Sequence, residues 1–295
     1  MRVFLTGASG FVGSAIVQEL IRAGHQVVGL VRSESSAKAL TQAGGEPFMG
    51  DLGDIDGLKR GADAADAVIH TAFTHDFANF AAAAAADKQV IEAVGKTLAG
   101  SNRPLITTGG LLGIKPGNGD LITEDDASTS PVRLSEAATM AQTALGVRTS
   151  VIRLAPSVHG TGDHGFIATL INIARTKGVS AYIGEGTNRW PGVHRLDAAR
   201  LYRLVLENGT AGSRYNGTAE TGLPLRQIAE LIGERLNLPV VSIDPDEAAS
   251  HFGWMALFAR MDAPSSNQQT RDRLGWEPTH PDLRNDLNAG FYFEQ

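Results

Sequence analysis

The chain of 295 residues contains no cysteine, which excludes disulfides, thiolate metal sites and a cysteine nucleophile. Redox compartment is left open beyond compatibility with the cytosol. Long apolar runs are also missing: nothing approaches the roughly 18 uninterrupted apolar residues of a membrane span. The N-terminus opens on a strand-like run rather than on the basic stretch, apolar segment and small-residue cleavage site of a secretory leader. The expectation is a cytoplasmic protein with no membrane partner. An excess of basic charge is lacking as well, since 26 Lys and Arg stand against 32 Asp and Glu for a net charge of −6. Nucleic acids and anionic surfaces require a basic face to replace their counterions, so neither is expected as a partner. A small molecule is. With 42% hydrophobic and 20% charged residues the chain has ample material for a globular core.

Short apolar runs alternate with helical patterns. RVFLTG (2–7), HQVVGLV (25–31), EPFMG (46–50), AVIHTA (67–72), RPLITTG (103–109) and TSVIRLA (149–155) lack strict alternation, as strands covered on both faces do. Between them GFVGSAIVQELIRAG closes on Gly24 and ESSAKALTQAGG on paired glycines, both helix C-cap signals. The alanine-rich run 77–94 reads as a long helix. This βαβα order predicts an α/β fold, a doubly wound parallel sheet of Rossmann type with its ligand crevice at the carboxyl ends of the strands. We expect a dinucleotide-binding domain over 1–155 with a return segment near 193–215. The segments 156–192 and 216–295, richer in Pro and Gly, are expected to form a smaller substrate-binding lid region. In that region HFGWMALFARM (251–261) has the spacing of a buried helix face.

TGASGFVG carries the strongest chemical signal. Gly7, Gly10 and Gly13 follow the first strand directly and open the first helix. The first glycine permits a tight turn, the second lets backbone approach a pyrophosphate, and the third allows close helix–sheet packing, with the helix N-terminus facing the anion.

The GxxGxxG spacing and five further segments resemble the extended or atypical branch of the short-chain dehydrogenase/reductase superfamily. These are GDLGD (50–54), HTAF (70–73), ITTGG (106–110), RLAPSVHG (153–160) and VHRLDAARL (193–201), in the family's order. The last could equally be a plain helix start capped by Asp197. The resemblance implies a nicotinamide cofactor on Gly7, Ser9, Gly10, Phe11, Val12 and Gly13. It further implies Asp51 and Leu52 at the adenine, Thr71 and Ala72 beneath the cofactor, and Thr107, Pro156 and Val158 along it. It also implies that the 77–94 helix packs in a homodimer. An NAD enzyme of this architecture carries an acidic residue at the end of the second strand for the ribose 2′-hydroxyl. Val31 stands there, followed by Arg32 and Ser33, which suit a 2′-phosphate, so NADP(H) is favoured over NAD(H).

The resemblance breaks at TSPVRLSEAA (129–138), where Val132 and Glu136 occupy the places of the family's Tyr and Lys. Of the family's catalytic set only a Ser/Thr equivalent, Thr108, remains to polarise a carbonyl. Arg133 keeps its proton, so it can stabilise an alkoxide but not supply a proton. His159, which replaces the Tyr of the Val-Tyr-Gly segment, and His164 in a glycine-rich turn are the candidate donors. Tyr182 and Trp190 are candidate pocket walls. The leading expectation is a carbonyl reductase or alcohol dehydrogenase with an altered proton relay, acting on an uncharged small molecule. A silent NADP(H)-binding sensor and a nucleotide-sugar epimerase or dehydratase, whose diphosphate only Arg226 is placed to meet, are the alternatives.

Overall fold

Strand β1 (Arg2–Thr6) carries Phe4 toward one face of a sheet and Val3 and Leu5 toward the other, all three wholly buried. Each such side chain contributes about 1.5–3 kcal/mol through burial. The same two-sided pattern recurs along the chain in a computed structural model that describes residues 1–74, 76, 79–130 and 133–294. After β1 come α1 (Phe11–Arg22), β2 (Gln26–Val31), α2 (Glu34–Gln42), β3 (Glu46–Met49), α3 (Ile55–Asp63) and β4 (Ala67–His70). Next are α4 (Phe80–Thr97), β5 (Pro104–Gly110), α5 (Ser135–Thr143), β6 (Arg148–Leu154), β7 (Ser157–His159) and α6 (Phe166–Lys177). The chain continues through β8 (Ser180–Ile183), β9 (Arg189–Trp190), β10 (Gly192–His194), α7 (Arg195–Asn208), β11 (Ser213–Gly217), β12 (Leu223–Pro224) and α8 (Leu225–Leu236). It closes with β13 (Val240–Ile243), α9 (Ala248–Phe252), α10 (Ala256–Ala259), α11 (Gln268–Leu274) and α12 (Leu283–Ala289).

Seven strands form one parallel sheet in the order β3-β2-β1-β4-β5-β6-β11. The order reverses between β1 and β4, the switch point at which a doubly wound sheet opens its crevice. Helices α1, α2 and α7 cover one face; α3, α4 and α5 cover the other. A second apolar cluster unites α6, β8, α8, α9, α10 and α12, with β8 pairing β13. Helix α7 packs against α1, and β11 pairs β6 at the sheet edge. That edge strand, Ser-Arg-Tyr-Asn-Gly, has too little apolar content to be recognised from its sequence.

Two expectations are corrected. The 251–261 segment is not one helix: α9 ends at Gly253, whose φ of +57° breaks the screw before a 3-10 turn and α10 begin. The cap of α7 is His194, whose Nδ1 accepts the Leu196 N–H at 3.3 Å, and not Asp197. Asp197 instead accepts the N–H groups of Thr279 and His280 and so fastens the C-terminal segment. The long alanine-rich helix runs Phe80–Thr97; Phe77 and Ala78 lie outside the described residues.

Glu136 holds α5 to the sheet. It is buried, and its carboxylate takes Arg153 Nε at 2.7 Å, Arg153 Nη2 at 2.8 Å, Arg214 Nε at 2.7 Å and the Ser128 N–H at 3.0 Å. Arg153 is wholly enclosed and also donates to the carbonyls of Thr123 and Asp126. Burial pushes the Glu136 carboxyl up, but the guanidiniums and the Ser128 N–H outweigh it and hold the group below the ordinary glutamate range. Its contribution to stability is therefore present above that range and is lost as the pH falls toward the folded-state pKa. Glu136→Gln leaves a buried guanidinium uncompensated, and we expect a loss of about 3–5 kcal/mol. In urea unfolding the midpoint should fall with the slope unchanged, and the acid limb of the stability curve should flatten. A variant as stable as the parent contradicts the assignment.

Candidate functional site

The glycine loop between β1 and α1 is built to a tolerance that excludes side chains. Gly7 has φ +77°, and a Cβ there would meet Thr71 Oγ1 at 2.6 Å and Ala72 N at 2.8 Å. A Cβ on Gly13 would lie 1.9 Å from the Gly7 carbonyl oxygen. The first intrahelical bond of α1 is Ser14 N–H to Gly10 O, no side chain caps the helix, and its first turn holds no acid. The N–H groups of Phe11, Val12 and Gly13 thus have no partner within the helix ladder. Together with the helix dipole they fit the pyrophosphate of a dinucleotide. Ser9 is exposed beside them, and Arg195 lies over the Phe11 ring with its guanidinium carbon 5.1 Å from the centroid. Arg195 is a cation at the loop that the sequence reading overlooked.

Around this loop, Thr71 donates its hydroxyl to Thr6 O at 2.8 Å, and Ala72 N–H reaches Thr6 Oγ1 at 3.3 Å. Arg32 is exposed just past β2 and forms no ion pair among the described residues. Ser33 caps α2, accepting Ser36 N–H at 3.2 Å. Asp51 is exposed and takes Gly53 N–H at 2.7 Å, while Leu52 is partly buried against the core between β3 and α3. Pro156 and Val158 are half-buried between β6 and β10.

At the carboxyl ends of β4 and β5 side-chain alternation decides which groups meet. Thr6, His70 and Thr107 stand in register across β1, β4 and β5 and share the face covered by α4 and α5. Thr107 is wholly buried with its hydroxyl 2.7 Å from that of Thr139, so it belongs to the α5 packing and not to a crevice. Thr108 is one residue on and faces α7. Its hydroxyl donates to His70 O at 3.0 Å and accepts from the buried Tyr202 at 2.7 Å. The Thr108 proton is thus directed at a backbone carbonyl, and the hydroxyl is only partly buried.

Arg133 lies beside it, at the carboxyl end of β5. Its Nε donates to Ser135 Oγ at 3.2 Å and its Nη2 to Thr108 O at 3.4 Å, and its guanidinium carbon lies 4.3 Å from the Phe73 ring centroid. Burial lowers its pKa from the ordinary arginine value, while Asp87 and Tyr202 oppose the shift. Behind it Ser135 donates to Asp87 at 2.6 Å, and Asp87 lies 2.9 Å from His70 Nε2. Pro131 and Val132 lie outside the described residues. Glu136, which the resemblance puts in the place of a Lys, is engaged with Arg153 and Arg214 on the sheet side of α5. Neither Asp87 nor Ser135 stands in a recognisable motif; His70, a histidine ending a strand, was the available signal.

The two histidines differ sharply. His159 is fully buried, with Nδ1 2.6 Å from Asp286 on α12, so it is enclosed and not on the crevice side. His164 is exposed and sets its ring edge-on to Phe11 of the glycine loop, centroids 5.8 Å apart. Trp190 is wholly buried and donates to Met261 O at 3.2 Å, which makes it core and not a pocket wall. Tyr182 lies under Arg226, itself paired with Glu230 at 2.9 Å. No helix among the described residues is long and apolar enough to cross a membrane.

Residues 7–113 match the NAD(P)H-binding family model. Over 99% of this chain and 100% of its own length, an uncharacterized protein of Schizosaccharomyces pombe is 51% identical. A ketoreductase of Stigmatella aurantiaca, named for a farnesyl dihydroquinoline oxide, is 26% identical over 90% of this chain and 84% of its own. Among solved structures, DesIV, a dTDP-glucose 4,6-dehydratase of Streptomyces venezuelae with NAD bound, superposes with a TM-score of 0.79 at 18% identity, covering 100% of this chain and 98% of its own. With its glycine loop, seven-stranded parallel sheet and this kinship, the chain carries an NAD(P)H-binding segment over residues 7–113, belongs to one family with the Schizosaccharomyces pombe protein and has the fold of the dehydratase.

Proposed function

We propose that the protein is an NADP(H)-dependent reductase of small uncharged carbonyl compounds in which Arg133, in place of a tyrosine, meets the charge that develops on the substrate oxygen. One observation carries the reading: a half-buried guanidinium is fixed at the carboxyl ends of β4 and β5 by a carbonyl, a hydroxyl and an aromatic ring. When bound, a reduced nicotinamide supplies the hydride that adds to the carbonyl carbon. The carbonyl π pair then moves to oxygen, which Arg133 stabilises as an alkoxide without giving up its own proton. One proton completes the alcohol. It comes from solvent at the crevice mouth, where His164 is the exposed imidazole beside the loop. The relative named as a ketoreductase supports this reaction class. A nucleotide-sugar substrate has less support, because the exposed Arg226 already has Glu230 as its partner.

The 2′-phosphate reading rests on Arg32 and on the N-terminus of α2, where Ser33, Ser35 and Ser36 cluster their hydroxyls within 3.0 Å contacts. Glu34 is the one acid in that first turn. Replacing Arg32 with Ala should weaken NADPH binding by about tenfold, the loss of one charge-assisted bond, and leave NADH binding unchanged. Fluorescence titration measures both; equal affinity of the parent for the two cofactors overturns the assignment.

For the chemistry, NADPH absorbance followed across a panel of aldehydes and ketones identifies the best substrate. Arg133→Ala should then lower kcat by about 100- to 1,000-fold, the cost of removing one oxyanion donor. Arg133→Lys should fall between parent and Ala, because an ammonium keeps the charge but loses the planar fork. Undiminished turnover by Arg133→Ala shows that the charge is met elsewhere.

A further inference from the structure

Behind Arg133 lies a chain of five side chains whose donors and acceptors can be ordered from end to end. Ala72 N–H and the hydroxyl of Thr6 fix the first link: Thr6 Oγ1 accepts from Ala72 at 3.3 Å and lies 2.7 Å from His70 Nδ1. Asp87 Oδ1 is a carboxylate oxygen and can only accept, so His70 Nε2 carries a proton, and in the neutral ring Nδ1 then accepts from the Thr6 hydroxyl. Nε2 donates to Asp87 Oδ1 at 2.9 Å, Ser135 donates to Asp87 Oδ2 at 2.6 Å, and Arg133 Nε donates to Ser135 at 3.2 Å. Every link has one donor and one acceptor. Thr6, His70, Asp87 and Ser135 are each no more than 5% exposed. Packing alone does not require this chain: apolar residues of similar shape would fill the same space without the cost of burying a charge.

We propose that Asp87, with Ser135 before it and His70 behind it, is a positioning residue that holds the Arg133 guanidinium at the carboxyl ends of β4 and β5. The His70–Thr6 link ties this anchor to the strand that carries Gly7, so the cofactor loop and the polarising cation share one rigid support. This rests on the reading that Arg133 meets the substrate oxygen. Asp87 is suited to the task by its charge. Burial pushes its carboxyl up, but His70, Ser135 and the Arg133 charge outweigh that and hold it below the ordinary aspartate range. It is thus an anion near neutral pH, buried where the field of one charge is weakly screened. Ser135, the first residue of α5, transmits that orientation through its hydroxyl, which donates to Asp87 and accepts the Arg133 Nε–H.

The test uses Asp87→Asn, which keeps the shape and removes the charge. In the parent, the Arg133 Nε–H seen by nitrogen-15 NMR should exchange slowly with solvent; in Asp87→Asn it should exchange at least about tenfold faster, with the amide spectrum otherwise retained. For the best carbonyl substrate, Asp87→Asn should lower kcat by about 10- to 100-fold, as expected of a misplaced reacting group. KM for NADPH should change by less than about threefold. In an Arg133→Ala background the same substitution should change kcat by less than about threefold, since a residue acting through another is silent once that other is gone. Should Asp87→Asn fold poorly, Ser135→Ala removes the middle hydroxyl alone and should show the same faster exchange. Equal kcat losses with and without Arg133, or an Arg133 N–H whose exchange neither variant alters, overturn the proposal. The exchange measurement needs no substrate. If no carbonyl is turned over by any form, exchange alone decides the positioning role, and the reductase reading fails separately.

Discussion

A carboxylate cut off from water must find donors for both of its oxygens, and Asp87 finds them on two different elements. His70 ends β4 and Ser135 begins α5, so this one buried charge ties the sheet to the helix that follows Arg133. Breaking either bond leaves an uncompensated charge, which is why such a group constrains its neighbours more than an apolar contact of equal area. The crevice, the arginine above it and the glycine loop beside it all take their positions from strands that this carboxylate helps hold in place.

The same region bears on how one scaffold can carry different chemistry. The glycine loop is shaped by β1, α1 and the close approach of Thr71 and Ala72 to Gly7, with no direct contact to the start of α5. A fold held in common does not by itself fix the chemistry. Glu136 illustrates the point: close to Arg133 in the chain, its carboxylate binds α5 to β6 and β11 through two arginines.

Much of this was legible in the residues. The six strands from β1 to β6 and the loop at Gly7–Gly13 are local patterns, set by apolar runs and by glycines whose spacing has a steric cause. What was not legible depends on partners distant in the chain. His159 reads as an acid in a tyrosine's place until Asp286, 127 residues away, is seen at 2.6 Å. Thr107 reads as a cofactor contact until the parity of β5 is known, because one residue along a strand exchanges the α5 face for the α7 face. Strand β11 is held by pairing to β6 and by bonds from Asn216 to Ser266 and Thr270, not by its own apolar content. The break at Gly253 turns on a single positive φ inside an otherwise helical pattern.

The central claim is that the reacting oxygen meets Arg133. A crystal structure of the protein with NADP(H) and an unreactive carbonyl or product alcohol tests it most directly. The account expects a guanidinium nitrogen of Arg133 at about 2.7–3.1 Å from the substrate oxygen, with Ser135 and Asp87 still behind it. An oxygen held instead by His164 or by the Thr108 hydroxyl, with Arg133 turned away, would contradict it.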